Sequence, residues 1–207
     1  MSPSLRDLLP PPLKSAARRV VRRSRRAWYR LLHPVRRHLA LKGLGAIGFP
    51  KSVLFVCHGN INRSAYAAGA FLRDLPAAFR DHVHVDSAGF IGPDRQSPPH
   101  AISAAGERGV DLSGHRSKML TRDLVRAAEL VVVMDPYQRA AVLRMGLRNG
   151  REVVVLGDLL PEAAERRGIA DPYDGELPQY EYSFDQVDAG LQQLVGAITL
   201  DPQSAHK

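Results

Sequence analysis

The sequence predicts an α/β fold, namely an open four-stranded parallel sheet with helices on both faces, plus a basic N-terminal helical arm. Short apolar runs alternate with segments whose apolar residues recur every three or four positions. This alternation is typical of a parallel sheet, because each parallel connection requires a crossover of helical length. In such sheets, ligands bind beyond the carboxyl ends of the strands. We therefore expect functional side chains directly after the predicted strands.

The predicted strands are short, apolar and bounded by turn residues. They cover residues 52–56, 83–86, 130–134 and 153–156. The predicted helices of the body cover residues 63–75, 99–109, 136–145 and 184–200. Gly109 is expected to end the second of these helices. The last helix carries Phe184, Val187 and Leu191 at helical spacing, which indicates a buried face.

Charge divides the chain into an arm with its linker (residues 1–50), a body (51–200) and a tail (201–207). Residues 1–50 hold 12 Lys and Arg and one acid, Asp7, whereas the remaining residues hold 17 basic and 20 acidic side chains. The net charge of +8 therefore comes from the arm alone. Nucleic acid is for this reason not favoured as a partner of the body.

A two-faced helix is predicted in the arm over residues 13–32, ending before Pro34. Its apolar face and its arginine face predict docking on an anionic membrane surface, or instead on an acidic partner or RNA. A targeting segment and a solvated extension are the alternatives, since transit peptides are also Arg-rich and amphipathic. The linker is expected at Gly43, Gly45, Gly48 and Pro50.

The composition indicates a cytoplasmic protein, with the inner membrane face as a peripheral location for its arm. One cysteine cannot form an internal disulfide, which favours a reducing compartment. No apolar stretch approaches the roughly 18 residues of a membrane span, and no secretory signal is visible.

The loop after the first predicted strand has the residue types of a phosphate site built around a thiolate. Cys57 stands where the strand ends, and inward N–H groups at the start of the following helix bind a dianion. Gly59 allows a tight turn, and Asn60 tolerates a left-handed backbone. Arg63 adds a planar fork for two phosphate oxygens, and Ser64 can donate its hydroxyl to the sulfur. These positive surroundings favour the thiolate form of the nucleophile.

Phosphate transfer to a thiolate also needs a proton donor for the leaving group. Asp171 is the candidate, because it lies in a long polar loop that Pro172 stiffens. Tyr173 offers an aromatic wall for an aryl phosphate. The predicted reaction has two in-line steps: Cys57 attacks phosphorus while Asp171 protonates the leaving phenol, and Asp171 then activates water to hydrolyse the cysteinyl phosphate. A second Asp-Pro pair, at Asp135, is expected to start a helix instead.

Together, these segments resemble a low-molecular-weight protein tyrosine phosphatase. The resemblance spans residues 52–200 and rests on the cysteine loop and on residues 85–89, 115–118, 130–135 and 171–173. It implies a flavodoxin-like sheet, a phosphoric monoester hydrolase activity and no metal or organic cofactor. The eight histidines show no metal-ligand spacing. The implied partner is a protein bearing phosphotyrosine, with a bacterial tyrosine kinase as one candidate.

The resemblance also assigns roles to individual residues. Cys57 is the expected nucleophile, Arg63 the phosphate clamp and Asp171 the general acid and base. Phosphate and substrate contacts are expected from His58, Gly59, Asn60, Ile61, Asn62, Ser64 and Tyr173. Supporting positions are Ser87, which holds the loop from the second strand, and His115 and Asp135, which resemble the family's buried structural pair.

Three positions depart from the family pattern, and a fourth bears on the substrate. Asn62 stands where many members have a second cysteine that protects the first by forming a disulfide on oxidation, so this safeguard is expected to be lacking. Ala65 replaces the usual proline after the Arg-Ser pair. His58 replaces a smaller or apolar residue and is expected to line the pocket mouth. Ile61 is the apolar choice of tyrosine-directed members, whereas threonine marks those directed at phosphoarginine.

Two other functions remain compatible with the sequence. An arsenate reductase shares this loop, although only a version that uses an external thiol fits a chain with one cysteine. A catalytically silent phosphate-binding regulator is the second alternative. The joint presence of Cys57, Arg63 and Asp171 favours the phosphatase.

Overall fold

The computed structural model describes residues 11–164 and 166–199, with the backbone alone for residues 11–23 and 25. The predicted tail, residues 201–207, lies outside this part of the chain. The elements are, in chain order, α1 (Pro11–Ile47), β1 (Ser52–Cys57), α2 (Arg63–Asp74), α3 (Ala77–Arg80), β2 (His84–Gly89), α4 (Pro99–Gly106), α5 (Arg122–Ala127), β3 (Leu130–Val133), α6 (Pro136–Arg144), β4 (Val153–Val155), a 3₁₀ turn (Leu156–Asp158) and α7 (Leu177–Thr199).

The four strands form one sheet in the order β2-β1-β3-β4, and every pair is parallel. The predicted open parallel sheet is therefore confirmed. Strand β1 lies inside the sheet, with Val53 paired to Val85 on one side and to Leu130 on the other. At its carboxyl end, Cys57 lies opposite Gly89 of β2. Strand β1 thus places Cys57 in the middle of the carboxyl edge of the sheet, where ligands are expected to bind.

Helices cover both faces of the sheet, as predicted. Along β1, Val53, Phe55 and Cys57 point to one side, where α1, α2, α4 and α7 pack in the larger apolar core. Leu54 and Val56 point to the other side, where α5 and α6 build a smaller core. Because both faces are buried, the strands are continuous apolar runs rather than alternating ones.

The predicted strands and longer helices of the body are confirmed, with shifts of a few residues at their ends. The largest shift concerns α7, which begins at Leu177 rather than at residue 184. Two short helices, α3 and α5, were not predicted. Gly109 lies after α4 in a left-handed turn at φ 73°, which agrees with its expected role near the end of that helix.

Two predictions for the arm were wrong. Helix α1 does not end before Pro34 but continues through it to Ile47, and Gly43 and Gly45 are helical rather than part of a linker. Gly48 follows the last helical residue, and its φ of 72° and its N–H bond to the carbonyl of Leu44 are typical of a helix stop. A proline costs an interior helical hydrogen bond. Here tertiary contacts of the following turns outweigh that cost.

The second half of α1 docks on the body. Leu44 is fully buried in the larger core, and His33 donates from Nε2 to the carbonyl of Leu160 at 2.9 Å. Arg36 forms an ion pair with Asp158 at 3.1 Å. Asp158 also binds Arg167, which stands just before the segment that carries Asp171. No described helix, α1 included, is both long and apolar enough to cross a membrane.

Candidate active site

Cys57 lies at the junction of β1 and the loop that leads into α2. Its side chain is only 2% exposed, and its sulfur accepts two hydrogen bonds. One comes from the backbone N–H of Asn60 at 3.2 Å and the other from the hydroxyl of Ser64 at 3.0 Å. Both donors stabilise negative charge on Sγ. The thiolate that carries this charge is the reactive form of a cysteine.

Asn60 ties the loop to the rest of the domain. Its backbone is left-handed at φ 52°, and its side chain is fully buried. The Nδ2 group donates to the hydroxyls of Ser64 and Ser87, each at 2.9 Å. The Oδ1 atom accepts from the backbone N–H of Lys118 at 2.8 Å. Ser87 thus meets the loop from β2, as expected for a supporting residue.

Two further residues position the loop: Gly89, which the sequence analysis included only as part of the segment 85–89, and Arg95, which it did not single out. A side chain at Gly89 is excluded, because a Cβ there would stand 2.8 Å from the backbone N of Asn60 and 2.9 Å from the carbonyl O of His58. Arg95 donates from Nη2 to the carbonyl of Gly59 at 2.8 Å and is held by further bonds to its own turn. An exposed-looking arginine outside every motif offers no pattern from which this contact could be predicted.

Arg63 and Asp171 meet at the edge of the loop. Nη2 of Arg63 is hydrogen-bonded to a carboxylate oxygen of Asp171, and Nη1 donates to the carbonyl of Ile169 at 3.2 Å. The arginine side chain is 4% exposed, whereas that of Asp171 is 44% exposed. Among the described residues, nothing accepts from the buried Nε of Arg63. The structure therefore brings the three expected catalytic residues, Cys57 included, to one edge of the sheet.

The segment before Asp171 is anchored on two sides. The N–H of Ile169 donates to the carbonyl of Met134 at 2.9 Å, at the end of β3. Ala170 is held by α7, since its N–H donates to Gln186 at 2.9 Å and its carbonyl accepts from Ser183 at 2.8 Å. The carboxylate itself remains half-exposed. A rigid backbone with a rotatable side chain is suited to proton transfer.

A protein-family model matches the part of the chain that forms this site. The model is described as low molecular weight phosphotyrosine protein phosphatase and matches residues 52–204. The chain belongs to this family. Every residue of the site lies inside the matched segment, whereas helix α1 precedes it. The family match favours the phosphatase over the arsenate reductase and the silent regulator.

Named relatives of this phosphatase include enzymes from several bacteria. The probable low molecular weight protein-tyrosine-phosphatase EpsP of Ralstonia nicotianae is 34% identical over 150 residues, which cover 72% of this chain and 96% of that protein. The protein-arginine-phosphatase of Bacillus subtilis is 29% identical over 150 residues, covering 72% and 97%. The solved structure of the Erwinia amylovora tyrosine phosphatase AmsI superposes with a TM-score of 0.63 at 26% identity, covering 73% of this chain and 95% of that one.

The remaining substrate-facing residues of the phosphatase are placed unevenly. His58 and Tyr173 are exposed, the latter by 57%, whereas Ile61 and Asn62 are 7% and 3% exposed. In the described structure, nothing donates to the carboxamide oxygen of Asn62. Tyr180, which the sequence analysis did not single out, is buried near Asp171 and Asp174. Burial, and then the carboxylates of Asp174 and Asp171, raise the pKa of its phenol.

The expected pairing of His115 with Asp135 was wrong. His115 instead donates from Nε2 to the carbonyl of Asn60 at 2.7 Å and so supports the loop directly. Burial lowers the pKa of His115, the hydrogen bond to Asn60 opposes this shift, and the nearby Lys118 adds to it. Asp135 caps α6 by accepting from the N–H of Tyr137 at 3.0 Å, as predicted for its Asp-Pro pair. Within the described chain, no cluster of three or more His, Cys, Asp or Glu is placed to hold a metal ion.

Proposed function

We propose that this phosphatase hydrolyses phosphotyrosine in proteins through a cysteinyl-phosphate intermediate. The observation that carries the proposal is the contact between Arg63 and Asp171 beside a sulfur that accepts two hydrogen bonds. Nucleophile, phosphate clamp and proton donor are then within reach of one phosphoryl group. The buried Nε of Arg63, for which the described chain offers no acceptor, is a donor available to a phosphate oxygen.

In the first step, the phosphoryl group binds in the loop and takes over the guanidinium of Arg63. Asp171 then leaves the arginine, takes up a proton from solvent and turns toward the leaving oxygen, which its 44% exposure allows without repacking. The Cys57 sulfur attacks phosphorus and the bond from phosphorus to the phenolic oxygen breaks. Asp171 donates its proton to that oxygen, so tyrosine leaves in neutral form.

The second step reverses these roles. Asp171, now a carboxylate, takes a proton from water while the water oxygen attacks phosphorus. The bond from sulfur to phosphorus breaks, and the hydrogen bonds from Asn60 and Ser64 stabilise the thiolate that leaves. Inorganic phosphate is released. Asp171 releases the proton it took from water to solvent and pairs with Arg63 again, and the enzyme is ready for another substrate.

Phosphotyrosine is favoured over phosphoarginine by one side chain in the loop. The relatives' names include both tyrosine and arginine phosphatases. Ile61 is 7% exposed, and we infer that its apolar side chain forms part of the pocket wall. The exposed ring of Tyr173 adds an aromatic surface that suits an aryl group.

Matched peptides test the substrate class. We expect a higher kcat/KM for a phosphotyrosine peptide than for the same sequence with phosphoarginine. Ile61→Thr should lower the ratio of the two kcat/KM values at least tenfold. Ile61→Val keeps the wall apolar and serves as the control, with an unchanged ratio. A wild-type preference for phosphoarginine would overturn the proposed substrate while leaving the phosphatase activity in place.

The physiological substrate is proposed to be a tyrosine-phosphorylated bacterial protein, with a tyrosine kinase as the first candidate. Several relatives that carry tyrosine-phosphatase names come from bacteria, among them Ralstonia nicotianae and Escherichia coli, which supports this class. A pull-down with Asp171→Ala, which binds substrate but lacks the proton donor, identifies the partner. We place the reaction in the cytoplasm, where Cys57 stays reduced.

The sequence predicts that residues 13–32 of the arm bind an acidic partner or a membrane. Within this range, the structure describes side chains only at residue 24 and from residue 26 onward.

A further inference from the structure

Helix α1 turns one face to the phosphatase body along its second half. His33, Arg37 and Leu44 lie on this face: His33 bonds to the carbonyl of Leu160, Arg37 donates to Gln193 of α7 at 2.5 Å, and Leu44 is fully buried. These contacts hold the helix as a fixed part of the molecule rather than as a loose extension. Its other face is therefore held in one orientation relative to the active site.

The opposite face of α1 carries large apolar side chains that the body does not cover. Trp28 is 59% exposed, Leu31 66%, Val35 57% and Leu39 60%. At about 100° per residue these four fall within an arc of about 80°, opposite the docked face, and they extend for about 16 Å along the helix. We call these four residues the apolar stripe. Apolar side chains that are grouped in this way mark an interaction surface.

The charge of α1 indicates what kind of partner binds the apolar stripe. Its sequence from Pro11 to Ile47 contains Lys and Arg throughout but no Asp or Glu. His38 and Lys42 are exposed beside the stripe. Pairing of two copies through this face would bring two acid-free helices together, which like-charge repulsion opposes. A bilayer with anionic headgroups accepts an apolar stripe and diffuse positive charge at the same time.

We propose that the apolar stripe of α1 inserts into the interface of an anionic membrane and holds the phosphatase body at that surface. The tryptophan and leucines enter the headgroup boundary, while the flanking basic side chains contact lipid phosphates. Because α1 is docked on the body, binding presents the active site in one orientation toward membrane-associated substrates. The proposal concerns location and does not depend on the proposed substrate.

The only tryptophan of the chain, Trp28, lies in the stripe and reports its burial directly. We expect its emission to shift to shorter wavelength when the full-length protein is mixed with vesicles of phosphatidylcholine and phosphatidylglycerol, and the protein to pellet with them. Vesicles of phosphatidylcholine alone should give a much smaller shift. An unchanged emission with anionic vesicles would overturn the proposal, even where charge alone causes pelleting.

A pair of double variants separates the stripe from general surface apolarity. Leu31→Gln with Leu39→Gln should weaken vesicle binding at least tenfold. Leu72→Gln with Tyr182→Gln removes two exposed apolar side chains from the body instead and should bind like the wild type. Circular dichroism confirms that both fold. Equal vesicle binding by the two double variants would contradict the proposal. A wild-type dimer in sedimentation velocity that only the stripe variant abolishes would also contradict it, because a second copy of the chain would then cover the apolar stripe.

Discussion

Asp171 holds the guanidinium of Arg63 by an ion pair, although the two residues lie 108 positions apart. The proposed phosphate clamp, Arg63, is thus engaged by the proposed proton donor, Asp171, before substrate enters. A bound phosphoryl group must replace the carboxylate on the arginine, and the released carboxyl must take up a proton and turn to the leaving oxygen. Substrate binding and the positioning of the acid are therefore one rearrangement.

Removing the charge of Asp171 is expected to separate catalysis from phosphate binding. Asp171→Asn should lower kcat by about 10²–10⁴-fold, because the leaving phenolate is no longer protonated. Inorganic phosphate should inhibit this variant about tenfold more strongly, because its competitor for Arg63 is weakened. Steady-state kinetics with an aryl phosphate measure both values.

Asp174→Asn is the matched control for this variant. It removes a carboxylate from the same loop without touching the ion pair to Arg63, and asparagine tolerates the left-handed backbone at this position, φ 59°. Its kcat and its inhibition by phosphate should stay near the wild-type values. Phosphate inhibition of Asp171→Asn no stronger than that of the wild type would show that the ion pair does not compete with substrate.

Among the loop residues that take no part in the reaction, Asn60 is expected to be the one at which a substitution lowers stability most. Asn60→Ala removes hydrogen bonds to Ser64, Ser87 and the backbone of Lys118, so the free energy of unfolding should fall by about 3 kcal/mol. Asn60→Gly loses the same bonds but fits the left-handed backbone, and should be about 1 kcal/mol more stable than the alanine variant. Urea unfolding measures the difference, and equal stabilities would contradict a backbone cost at this position.

His115 should make the stability of the domain depend on pH. Burial lowers its pKa in the folded state from the ordinary value of 6.5, so the unfolded chain takes up the proton more readily. The stabilising contribution is complete above 6.5 and is lost as the pH falls through 6.5 toward the lower folded-state pKa. The free energy of unfolding of the wild type should therefore fall more steeply in this window than that of His115→Gln.

Glutamine at position 115 keeps a donor for the carbonyl of Asn60 but does not titrate. His82→Gln, at an exposed position, is the matched control and should follow the wild type. Parallel curves for the wild type and His115→Gln between neutral pH and the acid end of the window would rule out the expected contribution. Urea unfolding at a series of pH values gives the curves.

Peroxide is expected to inactivate the enzyme without a built-in route of recovery. Cys57 is the only cysteine of the chain, so a sulfenic acid formed there meets no partner thiol and proceeds to irreversible acids. Dithiothreitol added after sustained exposure should restore only part of the activity. Mass spectrometry of the Cys57 peptide should show sulfinic and sulfonic acids.

Asn62→Cys should restore the missing safeguard. The substitution removes a buried amide oxygen that accepts no hydrogen bond from the described chain, and it gives up the side-chain hydrogen bond between Asn62 and Tyr180. After the same exposure this variant should recover most of its activity with dithiothreitol. Full recovery of the wild type, with no other thiol present during exposure, would contradict the account of Asn62.

Local patterns predicted the part of the structure that local interactions decide. The strand that ends at Cys57 and the helix that starts at Arg63 were predicted because apolar runs, glycine and helical spacing are short-range signals. The proximity of Asp171 to that loop is not a local property, since the polypeptide crosses the sheet between them. It followed from the resemblance of several separate segments to one family.

The errors arose where tertiary contacts outweigh local preference. Pro34 normally ends a helix, but docking through His33, Arg36 and Leu44 keeps α1 continuous across it. The role of Arg95 depends on a carbonyl 36 residues away that no spacing reveals. The partner of His115 was wrong because a hydrogen bond to the backbone of Asn60 leaves no trace in residue types.

Trapping the phosphorylated enzyme tests the central claim most directly. Asp171→Asn, in which hydrolysis of the intermediate is slowed, is mixed with a phosphotyrosine peptide that carries radiolabelled phosphate, denatured rapidly and digested. We expect the label on the peptide that contains Cys57, and we expect neither label nor turnover with Cys57→Ala. Turnover by Cys57→Ala near the wild-type rate, or a label on any residue other than Cys57, would contradict the mechanism.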